Sequence, residues 1–362
     1  TTFATNEELY AKLKSGGTSY DIIIPSDYMV ARMIAEDMVQ PLNFENIPNV
    51  RFLDEQYLYT DFDPEGAYSV PYTWGTVGII YNTQYVDEED THSWDILWDE
   101  RYMGEILMFS NSRDSFAIAL KRLGYSMNST SEAELRDACE SLTDQKMLVQ
   151  AYVMDEIFDK MEGEEAMIAP YYAGDAITMA DENPNLAFSI PDEGTNRFID
   201  SICIPSNAKQ KEAAEMYINF LNEPDVAYAI ADFIGYSTPN QKAYEMLDDE
   251  VKNDGISYLD DDYIEEKTTV FLTLMRESCK FCSNCFAHCK ASTCKRSGRL
   301  CRREKVREDD SVNICVYGAS SAQLKDIYYE KTQELGRAMG KRGHGLVFGG
   351  GATGMMGAAA RG

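Results

Sequence analysis

The chain has 362 residues, enough for two or three domains with substantial cores. Its 44% hydrophobic and 26% charged residues are ordinary for soluble globular protein, and it contains no apolar run of about 18 residues that could span a bilayer. A net charge of -28 disfavours nucleic acid and anionic membranes as partners and favours cationic ligands.

That charge is unevenly spread. Residues 1–274 hold 17 basic and 53 acidic side chains, whereas residues 275–362 hold 16 basic and 8 acidic. The cysteines divide at the same place. Cys139 and Cys203 stand alone in the first part, while Cys279, Cys282, Cys285, Cys289, Cys294 and Cys301 crowd together, with Cys315 beyond. A change of sign and of cysteine usage at one point predicts two segments of different origin.

In chain order, Asn6–Ser15 has Leu9, Tyr10 and Leu13 at helical spacing behind an Asn6 cap. Tyr20–Pro25 is a β-branched run suited to a buried parallel strand, and Tyr28–Glu36 follows as a helix. Ala67–Asn82 is a long extended stretch interrupted by Pro71 and Gly75. Trp94–Asp99, Ser115–Leu123 and Glu132–Leu142 read as helices, and Ala166–Ala169 and Ala187–Ile190 as short strands. Phe198–Pro205 is a second long extended run. Amphipathic helices follow over Lys209–Leu221 and Asp225–Phe233, and Gly235–Asn240 is a turn-rich loop. Strand–helix alternation with two long crossings predicts an α/β, two-lobed clamshell with a ligand in its cleft. Residues 275–311 lack any hydrophobic period and read as a basic, cysteine-rich linker. From Val312 the pattern returns to a strand (VNICVYG), a helix (Leu324–Met339), a second strand (GLVFGG) and a glycine-rich turn.

Five segments in the first part are specific: YAKLKSGGTSYDIIIPSDYMV, YSVPYTWGTVGIIYN, RFIDSICIPSNAK, INFLNEPDVA and IGYSTPN. Together they resemble the spermidine/putrescine-binding proteins of ABC importers over about residues 5–272. The resemblance implies a periplasmic-binding type II fold and a non-enzymatic transport component held outside the cytoplasmic membrane. It further implies a polyamine ligand, an ABC permease as partner and no cofactor. It places the polyamine-binding domain at 1–274, lobe one being about 1–81 with 199–245 and lobe two about 82–198 with 246–274. The family begins with a strand bearing a Trp/Tyr pair and ends with a further helix, both outside the matched span, so the expected clamshell is incomplete.

A polyamine is a string of ammonium groups joined by methylenes, and its site needs carboxylates for the charges and aromatic faces for the chain. Matched by motif, the implied ligand contacts are Ser26 and Tyr28 of PSDY and Asn111 and Asp114 of SNSRDSF. Tyr172 of YYAGDA, Phe198 and Asp200 of RFIDS, and Tyr236 of IGYSTPN complete the set. Asn111 replaces a carboxylate of the family, which predicts weaker selectivity for the longer amine. Trp74 is expected to pack in the core.

Two further readings concern the second part. Cys279, Cys282, Cys285 and Cys289 have C-x2-C-x2-C-x3-C spacing, as in one half of a bacterial ferredoxin, so an iron–sulfur or zinc site is an alternative to an unselected junction sequence. VNICVYGASS through VFGGGATGMMGAAARG resembles the N-terminal quarter of the lonely-guy phosphoribohydrolases, once described as lysine decarboxylases. The resemblance implies a Rossmann-like half-domain in which Ser320, Gly349, Gly350, Gly351, Gly354 and Gly357 would cradle a nucleotide 5′-monophosphate phosphate. That family's PGGxGTxxE motif is not in the sequence, so no cleavage of an N-glycosidic bond is expected.

Overall fold

The computed structural model describes residues 5–16, 20–271, 285–286, 313–315, 337 and 345–347. The chain divides into two compact units, Phe3–Ser283 and Asn284–Gly362, the latter taking Thr1–Thr2 as well.

In the first unit, helices α1 (Asn6–Lys14) and α2 (Asp27–Ala35) precede the long strand β1 (Ser69–Asn82). Next come β2 (Ile106–Phe109), α3 (Ser112–Arg122), α4 (Glu132–Gln145), β3 (Val149–Val153), α5 (Glu156–Glu162), β4 (Ile168–Tyr172), α6 (Ala173–Glu182), β5 (Leu186–Ser189) and β6 (Thr195–Cys203). The unit closes with α7 (Lys211–Leu221), α8 (Pro224–Ile234), α9 (Gln241–Met246), α10 (Asp249–Lys252), α11 (Asp261–Lys267) and β7 (Thr268–Thr269). Sheet order is β3-β2-β4-β1-β6-β7, with β5 also pairing with β1.

β1 joins the two halves because its two ends serve different partners. Ser69–Thr76 pairs antiparallel with β6, and Val77–Asn82 pairs with β4 and β5. Nearly every β1 residue is buried, so its alternation is hidden and only length and β-branched content mark it as a strand. Pro71 cannot donate to the ladder, and the register shifts between Pro71 and Thr73, opposite Ser201 and Asp200. Two clusters sandwich the β1–β6 half. One gathers Leu9, Met29, Val30, Met33, Tyr57, Trp74 and Ile199, and the other Ile47, Leu53, Val70, Ile202, Ile204 and Ile218. In the other half Ile106, Leu107, Met108, Phe109 and Ile168 are sealed from solvent.

Several expectations are corrected. The α1 cap is Thr5, which accepts from the Glu8 amide; the Asn6 side chain is instead engaged with Ser26. Tyr20–Pro25 forms no regular or parallel strand. It is extended and bridges antiparallel to β6, with Ile23 and Cys203 exchanging hydrogen bonds of 3.0 and 2.8 Å. Trp94–Trp98 is a 3-10 turn rather than an α-helix. Within the 246–274 stretch, Tyr258 and Ile264 pack against the cluster of α1, α2 and Trp74, β7 pairs with β6, Phe271 packs with Ala117 and Met127, and the Val270 carbonyl accepts from Asn128. Trp74 lies in the core as expected, stacked on Tyr57 at 5.7 Å and meeting Tyr258 edge-on.

In the second unit β8 (Asn313–Cys315) and β9 (Gly345–Val347) pair in parallel. Parallel neighbours need a crossover between them, and Arg337, in the intervening chain, is helical. The remainder of residues 272–362, including most of the expected linker, lies outside the described residues.

Candidate functional site

The eight candidate ligand contacts converge where β6, the start of α2, the start of α3, the end of β4 and the loop after α8 meet. Asp200 is on β6, beside the register shift at Pro71, and Ser26 bridges to it from the start of α2. Ser26 is the α2 N-cap residue, yet its hydroxyl does not cap the helix. It donates to Asp200 Oδ1 at 2.6 Å and accepts from Asn6 Nδ2 at 3.1 Å. A good capping group turned away from its helix, at a cost of about 1 kcal/mol, marks Asp200 as the group it serves.

Asn111 caps α3, and here the cap and the site coincide. Its Oδ1 accepts from the Asp114 amide at 2.9 Å, and its Nδ2 donates to Asp114 Oδ2 at 2.8 Å. Tyr172 also donates to that oxygen, at 2.9 Å. Asn111 therefore acts through Asp114, holding its carboxylate in place. The amide carries no charge of its own and orients that of Asp114.

The aromatic members form a continuous run. Tyr172 meets Phe198 at 5.2 Å, and Phe198 meets Tyr236 at 6.1 Å, both edge to face. Two glycines make room for Tyr236. A Cβ at Gly174 would sit 2.3 Å from the Tyr236 ring, and Gly235, at φ +72°, would press one to 2.7 Å from the Gly174 carbonyl.

Three site residues went unrecognised in the sequence: Asp27, Arg113 and Asp175. Asp27 is fully buried at the first position of α2. Asp175 is half-buried in the first turn of α6, and the neighbouring Tyr236 hydroxyl opposes the rise that burial imposes on its carboxyl. The guanidinium of Arg113 lies over the Tyr28 ring at 4.3 Å. Asp175 follows Tyr172 at helical spacing of three, a signal that YYAGDA carried but that so acidic a chain obscures.

Electrostatics give the cluster its character. Burial pushes the Asp200 carboxyl up to about 6, with Asp114 adding to the rise and Ser26 opposing it. Burial likewise pushes Asp175 and Asp27 up to about 7, and raises Asp114 despite its bonds to Asn111 and Tyr172. The phenols of Tyr28, Tyr172 and Tyr236 are raised as well, first by burial and then by neighbouring carboxylates. Desolvated carboxyls repelling one another, walled by aromatic faces, make a site short of positive charge.

The second-unit candidates stand apart. Ser320, Gly349, Gly350, Gly351, Gly354, Gly357, Cys279, Cys282 and Cys289 lie outside the described residues. Cys285 is described, and its sulfur is engaged in a disulfide. Among the described residues no group of three or more His, Cys, Asp or Glu is placed to hold a metal ion.

Comparison with known proteins fits this geometry. A family model for bacterial extracellular solute-binding proteins matches residues 18–267. The spermidine/putrescine-binding periplasmic protein of Salmonella typhimurium is 39% identical over 261 residues, covering 72% of this chain and 75% of that protein. The solved spermidine/putrescine ABC transporter substrate-binding protein of Streptococcus pneumoniae is 35% identical, with a TM-score of 0.69 over 80% of this chain and 89% of its own. A solved Listeria monocytogenes structure is similar too, at 35% identity and a TM-score of 0.78, covering 81% and 90% of the two chains. The architecture is the type II periplasmic-binding fold, and the chain belongs to the spermidine/putrescine-binding family of bacterial extracellular solute-binding proteins.

Proposed function

We propose that the chain is the extracytoplasmic solute-binding component of an ABC importer and takes putrescine or spermidine in its cleft. The observation that carries this is the trio of half-buried or buried carboxyls, Asp200, Asp175 and Asp114: Ser26 donates to Asp200, Tyr172 donates to Asp114, and Tyr236 neighbours Asp175. In this reading Asp200 and Asp175 anchor two ammonium groups, Asp114 is the carboxylate left for a third, and Phe198, Tyr172 and Tyr236 flank the methylenes. Ser26 and Asn111 orient the carboxylates they bond. Because desolvated carboxyls are costly, a bound cation stabilises the ionised site by far more than it would in water. The partners are the polyamine and a membrane permease, and no chemistry is performed on the ligand. Among the described residues no helix is long and apolar enough to cross a membrane.

Thermal unfolding tests this reading. A ligand that binds only the folded state stabilises it by about 4 kcal/mol at a thousand times its Kd, so millimolar putrescine or spermidine should raise Tm by several degrees. An equal rise with sodium chloride at matched ionic strength, or none, would count against the site.

For residues 312–362 we keep the reading of a nucleotide-phosphate-binding half-domain of the lonely-guy type, joined to the polyamine-binding part. It is supported by the parallel pairing of β8 with β9 and by the change of charge near residue 275. Retention on immobilised AMP is its direct test.

A further inference from the structure

Arg113 sits at the second position of α3, between the capping Asn111 and the carboxylate Asp114. It is only 9% exposed. Its guanidinium carbon lies 4.3 Å from the centroid of the Tyr28 ring and 4.2 Å from that of Phe271. Those two rings meet edge to face at 6.0 Å, so the cation is seated against both. Tyr28 comes from α2 and packs both against the β1–β6 half and against the small cluster of Ala117, Met127 and Phe271 beside α3. Its charge also draws Asp27, Tyr28 and Asp114 back from the rise that burial imposes on them. The tyrosine face that could receive an ammonium group is thus covered by the chain's own cation.

We propose that Arg113 is a specificity-determining residue: as a built-in cation it occupies the Tyr28–Asp114 end of the cleft, confines ligands to the stretch between Asp200 and Asp175, and so favours a short diamine over a longer polyamine. The inference rests on the polyamine reading above. A third ammonium group would have to use Asp114, whose Oδ2 already accepts from Asn111 and Tyr172, or the Tyr28 face. Either choice requires moving the guanidinium. A desolvated cation–π contact is worth enough that displacing it weakens binding roughly tenfold or more. The diamine leaves that contact in place.

Calorimetric titration of putrescine and spermidine into the wild type, Arg113→Gln and Arg113→Lys separates the possibilities. In Arg113→Gln the affinity for spermidine should rise about tenfold, with putrescine changing less than about threefold. Arg113→Lys keeps the charge and should keep the wild-type ratio. A folded Arg113→Gln whose ratio is unmoved, or which loses both amines in parallel, overturns the proposal and reduces Arg113 to a packing residue. If the wild type binds neither amine, the polyamine reading itself fails and the inference falls with it. Should Arg113→Gln fail to give a cooperative unfolding transition, Phe271→Leu loosens the guanidinium from its other face and must shift the ratio the same way; an unchanged ratio there is equally fatal.

Discussion

Replacing Asp200 with asparagine keeps the shape of the side chain and removes its charge, and binding and stability should then move in opposite directions. In the unliganded cleft this carboxyl is pushed from its ordinary 3.8 up to about 6, chiefly by burial. The folded state therefore holds the proton more tightly than the unfolded chain does. Its contribution to stability is fully present below pH 3.8 and is lost as pH rises through about 6, which leaves a standing cost at neutral pH. At about 1.4 kcal/mol per tenfold change in proton affinity that cost is on the order of 3 kcal/mol, and screening at a half-buried carboxyl reduces it to about 1–2 kcal/mol. Asparagine carries no such cost and can still accept from Ser26. Unliganded D200N should thus be about 1–2 kcal/mol more stable at pH 7.5, with the gain gone at pH 4. Binding loses a charge-assisted hydrogen bond worth about 2–3 kcal/mol, or roughly 30- to 150-fold in Kd. Urea unfolding at the two pH values, with calorimetric titration at pH 7.5, measures both. If D200N is less stable at pH 7.5 and binds amines as the wild type does, Asp200 is a structural group and the anchoring argument is wrong.

Three other outcomes follow from the same geometry. A bound cation favours ionised carboxylates, so affinity should fall as pH drops below about 7, where Asp175 and Asp27 take up protons, and binding at pH 6.5 should release protons; heats that do not vary with the buffer's ionisation enthalpy would contradict this. Asp63, 3% exposed, accepts from the amides of Ala67, Tyr68 and Ser69 and from the Ser69 hydroxyl where β1 begins. D63A should cost about 3 kcal/mol in urea unfolding, because buried donors lose their acceptor, and a loss below about 1 kcal/mol would show that water replaces the carboxylate. G174A drives a methyl group into the Tyr236 ring and should weaken amine binding at least about tenfold with the far-ultraviolet spectrum unchanged; wild-type affinity would remove Tyr236 from the site.

The main crossings were legible because β1 and β6 are long, β-branched and interrupted in informative ways. Pro71 inside β1 signals the register shift that lies beside Asp200. Shorter buried elements were not. Ile106–Phe109 is a four-residue apolar run with no period to read, and β3 alternates weakly, with only Val153 fully buried. Of the site, Ser26, Tyr28, Asp200 and Tyr236 were reachable through motifs, and the structure brings them together with the rest of the expected set. Asp175, Asp27 and Arg113 were not reachable, since the sequence does not say which acids among 53 in the first part are desolvated. That depends on what packs over each carboxyl: Tyr236 over Asp175, Arg113 near Asp27. Asn111 shows the converse, for its type suggested a weakened ligand contact while its position at the start of α3 makes it a cap whose amide steadies Asp114.

The central claim, a cleft built for a small polycation, is tested most directly by isothermal titration of putrescine and spermidine at low and physiological salt, with glutarate as the anionic comparison. Expected is saturable binding of one amine per chain, weakened by salt and by acid, and no heat of binding with glutarate. Absence of saturable heat with either amine at millimolar concentration, from protein that unfolds cooperatively, would contradict it.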